Sequence, residues 1–379
     1  MIENNTYDPI FQTYLDSLYI ISHSQGTLSM NLSGLKRFES YVKQKHGSNV
    51  AKLIEQISNG MLNPFSVLQN FVIYLDQEGK RPTSIKCWLS STKGFLRQQG
   101  IKIYSEDFKQ NVRVPKTIRQ REDPLTKEII VRLLQIVPFK LRAVILVALA
   151  SGMRIGEIVQ LKISDIDFES EPLKIRIRAE TTKTKESRET FLTQEATRIV
   201  KDYLRRYYNW NSDQKNEQLQ NQIIFGRTVG IKSNNSRTLK KNPARNDTTN
   251  LGLSLRYYTS KIPELARLNE NGRNMIHFHA FRTFFRTTVG NAVGRDFAEA
   301  IIGHHFYLDS YYNLPEEERK KLYLKAEPYI TISDFRRVEK DLISMKKKQE
   351  EIEEKQIELI QALQGDHILL PKLLEKLIK

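Results

Sequence analysis

The sequence predicts a mainly α chain of two domains, with one small β-hairpin or sheet in the second and a helical tail. Three observations predict it. Apolar residues recur at spacings of three and four over most of the chain, the mark of amphipathic helices. One short stretch, Leu173 to Ala179, alternates strictly instead, as a half-buried strand does. Residues 113–123, RVPKTIRQRED, form a basic, proline-containing connector that interrupts the helical pattern. With 379 residues there is chain enough for two separate cores. The expected division is a helical domain over 1–112, a linker over 113–123, a helical domain with the hairpin over 124–334, and a tail over 335–379.

In the first domain Leu28, Leu32, Leu35, Phe38 and Val42 form an apolar stripe beginning after Gly26-Thr27. Asn63-Pro64 opens a second helix, with Phe65, Leu68, Phe71, Val72 and Leu75 on its buried side. Pro82-Thr83 opens a third, carrying Ile85, Trp88, Leu89 and Phe95, and the lone Cys87 is expected to fill a core gap beside Trp88. After the connector, Thr126 is placed to cap a helix over Lys127 to Val137. Helical periodicity then runs from Phe139 to Leu161, nearly all apolar between Arg142 and Ala150. The alternating strand puts Leu173, Ile175 and Ile177 on one face and Lys174, Arg176 and Arg178 on the other. A turn, TTKTKES, joins it to a second strand, Arg188 to Leu192. A helix over Thr193 to Tyr208 follows, then a polar, basic insertion over 209–250 with one strand-like fragment, Ile223 to Phe225. Helix resumes over Leu251 to Leu268 and again after Leu314-Pro315 toward Ala326, where Tyr323 and Tyr329 read as packing residues. In the tail Val338, Leu342, Met345, Ile352, Leu359 and Leu363 step by four and three, with Gln349 and Gln356 at the two missing seam positions. That is a heptad pattern, weakened by its glutamines.

The charge narrows the partners. Lys plus Arg is 60 against 44 Asp plus Glu, a formal net charge of +16. Such a surplus points to a polyanion, nucleic acid before membrane. No stretch approaches 18 uncharged apolar residues, and the N-terminus has no basic region followed by an apolar one, so no membrane span or signal peptide is expected. One cysteine excludes an intramolecular disulfide and a cysteine-based zinc site. The expected compartment is the cytoplasm, with the protein associated with the nucleoid.

Chemistry concentrates late in the chain. Four of the seven histidines lie between His277 and His305. His279 and Arg282, three apart on a helix, are neighbours along its surface. Guanidinium makes short, often bidentate bonds to phosphate oxygens. A second marked arginine, Arg154, follows the most apolar helix, with Glu157 one turn on. Downstream come Gly303-His304-His305 and then Tyr307, Tyr311 and Tyr312. An arginine, then His-x-x-Arg, then Gly-His, then tyrosine, in that order, resembles the tyrosine recombinase (phage integrase) family. The resemblance runs from about Ser24 to about Ile332 and needs several motifs in sequence. In its tyrosine region, Leu308-Asp309-Ser310-Tyr311-Tyr312 before an acidic helix, the chain is most similar to archaeal integrases.

The resemblance implies a helical core-binding domain, an α+β catalytic domain, and a reaction in which a tyrosine attacks a DNA phosphodiester to leave a 3′-phosphotyrosine. Arg154 and Arg282 would then neutralise charge on the phosphate, with Glu157 orienting Arg154. His279 would handle a proton and His304 would hydrogen-bond the phosphate. A hairpin lysine would protonate the leaving 5′ oxygen. Lys183 and Lys185 compete for that role, and counting back from the hairpin's exit favours Lys183. Tyr311 is the first choice of nucleophile and Tyr312 the second. The covalent bond stores the energy, so neither cofactor nor metal is implied. The expected partners are double-stranded DNA and three further copies of the chain, as a tetramer on two sites, with accessory DNA-bending proteins a further option and no membrane. Three other readings stay open: a type IB-like topoisomerase, a non-catalytic DNA-binding protein derived from a recombinase, and a metal nuclease built on His277, His279, His304 and His305. The sequence offers the last of these no matching carboxylate cluster.

Overall fold

The computed structural model describes residues 7–118, 124–210, 217–226, 243–266, 268, 274–304, 314–333, 349 and 352–357. The chain divides into two compact units, residues 1–121 and 122–379.

In the first unit every described element is helical: α1 Gln12–Ser22, α2 Gln25–His46, α3 Val50–Ser58, α4 Pro64–Gln77, α5 Pro82–Gln98 and α6 Ser105–Asn111. Side-chain caps set the starts. Ser24 accepts from the Thr27 amide at 3.3 Å, Asn49 from Lys52 at 2.9 Å and Asn63 from Phe65 at 2.8 Å. Prolines in the first turns of α4 and α5 give up amides that would have no helical partner there. Leu35, Phe38, Phe71, Leu75, Ile85 and Phe95 are buried in one shared core. Cys87 departs from expectation: it is exposed. The core face of α5 runs through Ile85, Leu89, Thr92 and Phe95, and Cys87, two residues past Ile85, turns away from it. Of the connector's basic residues, Arg119 and Arg121 lie outside the described residues. The Arg113 amide donates to Gln69 Oε1 at 2.6 Å.

In the second unit α7, Lys127–Ile136, is capped by Thr126, and α8, Phe139–Ser151, is buried along nearly its whole length. The helical pattern expected to continue to Leu161 breaks at Gly152, which has φ +62°, before the short α9, Ile155–Ile158. A Cβ there would lie 2.5 Å from Phe285 Cδ1 and 2.7 Å from Ile302 Cγ2, so both the backbone angle and the space require glycine. The hairpin gains a third strand. β1 Ile166–Asp167, β2 Lys174–Ile177 and β3 Arg188–Phe191 form an antiparallel sheet in that order, with Ile175 opposite Thr190 and Ile177 opposite Arg188.

Beyond the sheet come α10 Gln194–Tyr208, α11 Glu217–Gln220, α12 Pro243–Thr259, α13 Pro263–Ala266, α14 Phe278–Val293, α15 Arg295–Ile302 and α16 Glu316–Ile330. Helix α12 begins eight residues before the expected Leu251, inside the polar insertion. Its first turns carry Ala-Arg-Asn-Asp-Thr-Thr-Asn, with no apolar stripe to mark them. The Ile223–Phe225 fragment makes a single antiparallel bridge, Ile223 to Lys162, and buries Ile224 and Phe225. Tyr323 is fully buried and its hydroxyl donates to the Ala150 carbonyl at 2.7 Å. Tyr329, read as a packing residue, is instead 57% exposed. Helix α14 is the hub of this unit, packing against α8, α15 and α16. Most of the tail's heptad lies outside the described residues. Residues 352–357 are helical, with Ile352 and Ile357 exposed.

Candidate active site

The site is built where three chain breaks converge on α14: the turn after α8, the start of β3 and the turn after α15. Arg282, on the second turn of α14, is 2% exposed. Its Nη1 donates to the Gly152 carbonyl and its Nη2 to the Ile302 carbonyl, each at 2.7 Å. These carbonyls lie two residues before Arg154 on one side and His304 on the other, so one buried guanidinium ties together the two turns that carry them. Its Nε is buried with no partner, and no carboxylate lies within ion-pair distance among the described residues. Burial, and then the nearby Arg154 charge, draws the Arg282 pKa down to about 9, which leaves it cationic at neutral pH. Among the described residues this buried cation is bonded to carbonyls and has no paired counter-ion.

Two buried carboxylates hold the surrounding cations. Glu157, 2% exposed, accepts from the Arg154 amide at 2.8 Å and from Arg154 Nη1 at 3.1 Å. It also takes both Nη groups of Arg188, at 3.1 and 2.6 Å. Glu299, 6% exposed, takes Arg286 Nε at 2.7 Å together with Arg286 Nη2, and pairs with His304 Nδ1 at 2.8 Å. Three arginines therefore meet two carboxylates, and with Arg282 beside them the site keeps a positive surplus. Gly303, at φ +68°, is in contact with Arg188: a Cβ there would lie 2.7 Å from Arg188 Cδ. His304 follows it directly.

Both carboxyls sit below the ordinary glutamate range. For Glu157 burial pushes upward, but the bonds and charge of Arg188 and the Arg154 contacts outweigh it. For Glu299 the Arg286 bond is the main cause, opposed by burial and helped by His304. Folded-state values are depressed, so this stabilisation is complete above the free glutamate value of about 4.3 and is lost as pH falls through the folded values. Thermal unfolding should accordingly hold steady from neutrality to about pH 4.5 and weaken below it. Glu157→Gln should lower stability at neutral pH by about 3 kcal/mol, since it leaves Arg188 buried against an uncharged amide, and should flatten the acid limb. A variant whose melting matches the parent at both pH values would contradict this.

His279 and His304 both lie near enough to Arg282 to feel its charge. His277 occupies the N-cap position of α14 without a side-chain cap bond, its Nδ1 buried and unpartnered. His279 is exposed, its ring 6.3 Å from that of His277. Desolvation, and then the charges of Arg282, His277, His304 and Arg154, lower the pKa of His279. The three-residue spacing of His279 and Arg282 thus gives proximity, but the arginine turns inward and the histidine outward. Lys183 and Lys185 are both exposed on the β2–β3 connection. Thr182 ties that turn: its hydroxyl lies 2.9 and 3.0 Å from the Ala179 and Glu186 carbonyls, which share its one proton, and it accepts from the Glu186 amide at 3.1 Å. Lys185 takes the left-handed turn position, φ +61°. A cleft of about 320 Å³ opens beside His304, lined by Thr184, Ser187, Arg188, Phe297 and Arg319 among others. Arg154, Arg282, His279 and His304 are therefore brought together. Tyr307, Tyr311 and Tyr312 lie outside the described residues, as does His305.

With that geometry in view, residues 123–307 match the phage integrase family. The chain carries a phage integrase family domain. Curated relatives of the domain include tyrosine recombinase XerA of Pyrococcus furiosus, 28% identical over 178 residues, 43% of this chain and 59% of that protein. Tyrosine recombinase XerC of Chlamydia caviae is 30% identical over 213 residues, 51% of this chain and 66% of that protein. The chain thus spans between half and two thirds of the length of these relatives. Among solved structures, a lambda integrase dimer bound to a COC′ core site is 14% identical with a TM-score of 0.49, covering 81% of this chain and 78% of that one.

Three residues of the candidate site are not singled out by any sequence motif: Arg188, Arg286 and Glu299. Glu299 carried a signal, as a lone carboxylate within Phe297-Ala298-Glu299-Ala300-Ile301-Ile302, where burial demands a partner. Arg188 and Arg286 carried none, because only the fold brings them to Glu157 and Glu299. Among the described residues no cluster of three or more histidine, cysteine or carboxylate groups has metal-binding geometry, and no helix is long and apolar enough to cross a membrane.

Proposed function

We propose that this chain is a site-specific DNA recombinase that cuts and rejoins double-stranded DNA through a covalent 3′-phosphotyrosine, in the integration or excision of a mobile element. The observation that carries the reading is Arg282, a buried cation with an unpartnered Nε and no carboxylate of its own among the described residues. A phosphodiester oxygen supplies the missing anion, and a preformed donor in a shielded site is what an in-line displacement at phosphorus requires. Arg154 and Arg282 hold the non-bridging oxygens. His279 and His304 are the hydrogen-bonding and proton-handling groups beside them. Lys183, exposed on its turn, protonates the departing 5′ oxygen, and Tyr311 attacks. The family match over residues 123–307 and the curated recombinases support the same reading.

Around this centre the helical domain over 1–112 acts as the core-binding domain that grips the duplex, aided by the linker over 113–123. The catalytic domain spans 124–334. The tail over 335–379 joins neighbouring copies in a tetramer on two DNA sites. The net charge of +16 supports a nucleic-acid partner held mainly through its backbone.

The test of the reaction class is metal dependence. Cleavage of a suicide substrate should proceed in excess EDTA at the rate seen without it. Full inhibition, restored by Zn²⁺ or Mn²⁺, would transfer the histidines to a metal nuclease.

A further inference from the structure

Glu299 does more than balance charge. Its two oxygens are divided: Oε1 belongs to Arg286, while Oε2 lies 2.8 Å from His304 Nδ1. Arg295, on the same helix, adds a second cation 3.6 Å from Oε1. A carboxylate so surrounded stays ionised, and an ionised carboxylate can only accept. The proton of this bond therefore sits on His304 Nδ1. In a neutral imidazole that choice leaves Nε2 with its lone pair, as an acceptor. The His304 side chain is 38% exposed, so the ring is open to a ligand while its far nitrogen is anchored.

We propose that Glu299, locked by Arg286, is a positioning residue that holds His304 in its Nδ1–H tautomer, so that Nε2 accepts a proton at the phosphate site. This rests on the recombinase reading and fixes the direction of one of its hydrogen bonds. As the tyrosine oxygen bonds to phosphorus and the bond from phosphorus to the 5′ oxygen breaks, the phenol proton passes to His304 Nε2. Lys183 gives its own proton to the departing 5′ oxygen. The imidazolium formed is paired with Glu299, and the two protons return when the strand is rejoined.

The surroundings favour a neutral ring before reaction. Arg282, Arg286 and His279 approach from α14, Arg188 from β3, Arg154 from the start of α9 and Arg295 from α15 itself. Burial of His304, with the Arg282 and Arg154 charges, lowers its pKa against the opposing pull of Glu299. Removing the Glu299 charge should lower that pKa further.

Two measurements on the full chain test this. The first is ¹⁵N NMR of the histidine rings at pH 7.5 without DNA, His304 being assigned by its loss in His304→Gln. The parent should show Nδ1 protonated and Nε2 bare, and Glu299→Gln should shift the ring toward the Nε2–H form, because an amide can donate to Nδ1. A parent ring already in the Nε2–H form would overturn the proposal whether or not the chain cuts DNA. The second is the pH profile of covalent adduct formation. The parent rate should rise with pH through an acid limb below pH 6.5 and then level off. Glu299→Gln should lower the plateau about 10-fold or more, the scale on which partners that orient a histidine act, and move the limb to lower pH. Glu299→Asp, which keeps the charge, should recover part of the plateau. A lowered plateau with an unmoved limb, or a rate that falls through that limb as pH rises, would show that Glu299 is only structural or that His304 acts as a donor. Absence of adduct in the parent, with the predicted NMR tautomers intact, would remove the recombinase reading and leave the Glu299–His304 pairing standing.

Discussion

Arg282→Lys is expected to reduce DNA cleavage by roughly 10²–10³-fold, the usual cost of removing one preformed donor to a developing oxyanion. Lysine keeps the charge but not the fork. One ammonium cannot reach the Gly152 and Ile302 carbonyls and still offer a donor to phosphate. Each carbonyl left without a partner costs about 1–3 kcal/mol, so the melting temperature should fall as well. Arg154→Ala should lose cleavage similarly with a smaller loss of stability, because its side chain is 28% exposed whereas Glu157 still keeps Arg188. DNA affinity, read by fluorescence anisotropy, should change only a few-fold in either variant, since many other basic residues hold the backbone. Binding that falls in parallel with cleavage would make both arginines affinity residues instead.

Tyr311→Phe is expected to abolish the covalent adduct completely, while folding and DNA binding survive the loss of a single hydroxyl. Tyr312→Phe should still form it. Adjacent side chains point apart in helix and strand alike, so one of the pair is expected to face the phosphate. The readout is a protein–DNA band that resists SDS. An adduct that survives in Tyr311→Phe and vanishes in Tyr312→Phe would reverse the assignment and keep the chemistry.

The elements that were legible in the sequence are those where local rules and burial agree. Asn63 and Thr126 mark helix starts because short polar side chains accept the free amides of a first turn. The apolar run from Arg142 to Ala150 becomes a buried helix, and the alternation around Ile175 becomes the central strand of the sheet. Helix α12 was misjudged at its start because its first two turns are polar. Cys87 and Tyr329 were misjudged because type alone does not give the direction a side chain takes on its helix. The site was legible only in part. His279, Arg282 and His304 stand out through rare residues in a short span. The carboxylates beside them depend on contacts across 13 positions between Arg286 and Glu299 and 31 between Glu157 and Arg188. The inward turn of Arg282 follows from packing of α14 on α8 and α15, which no spacing encodes.

The central claim is a covalent bond between a tyrosine of this chain and a DNA 3′ phosphate. It is tested most directly by trapping the protein on a nicked suicide substrate and sequencing both the linked peptide and the linked DNA end. The expected result is a peptide from 305–313 joined through Tyr311 to a 3′ phosphate, with a free 5′ hydroxyl released. DNA cut to free 3′ and 5′ ends, with no peptide attached, would contradict the account.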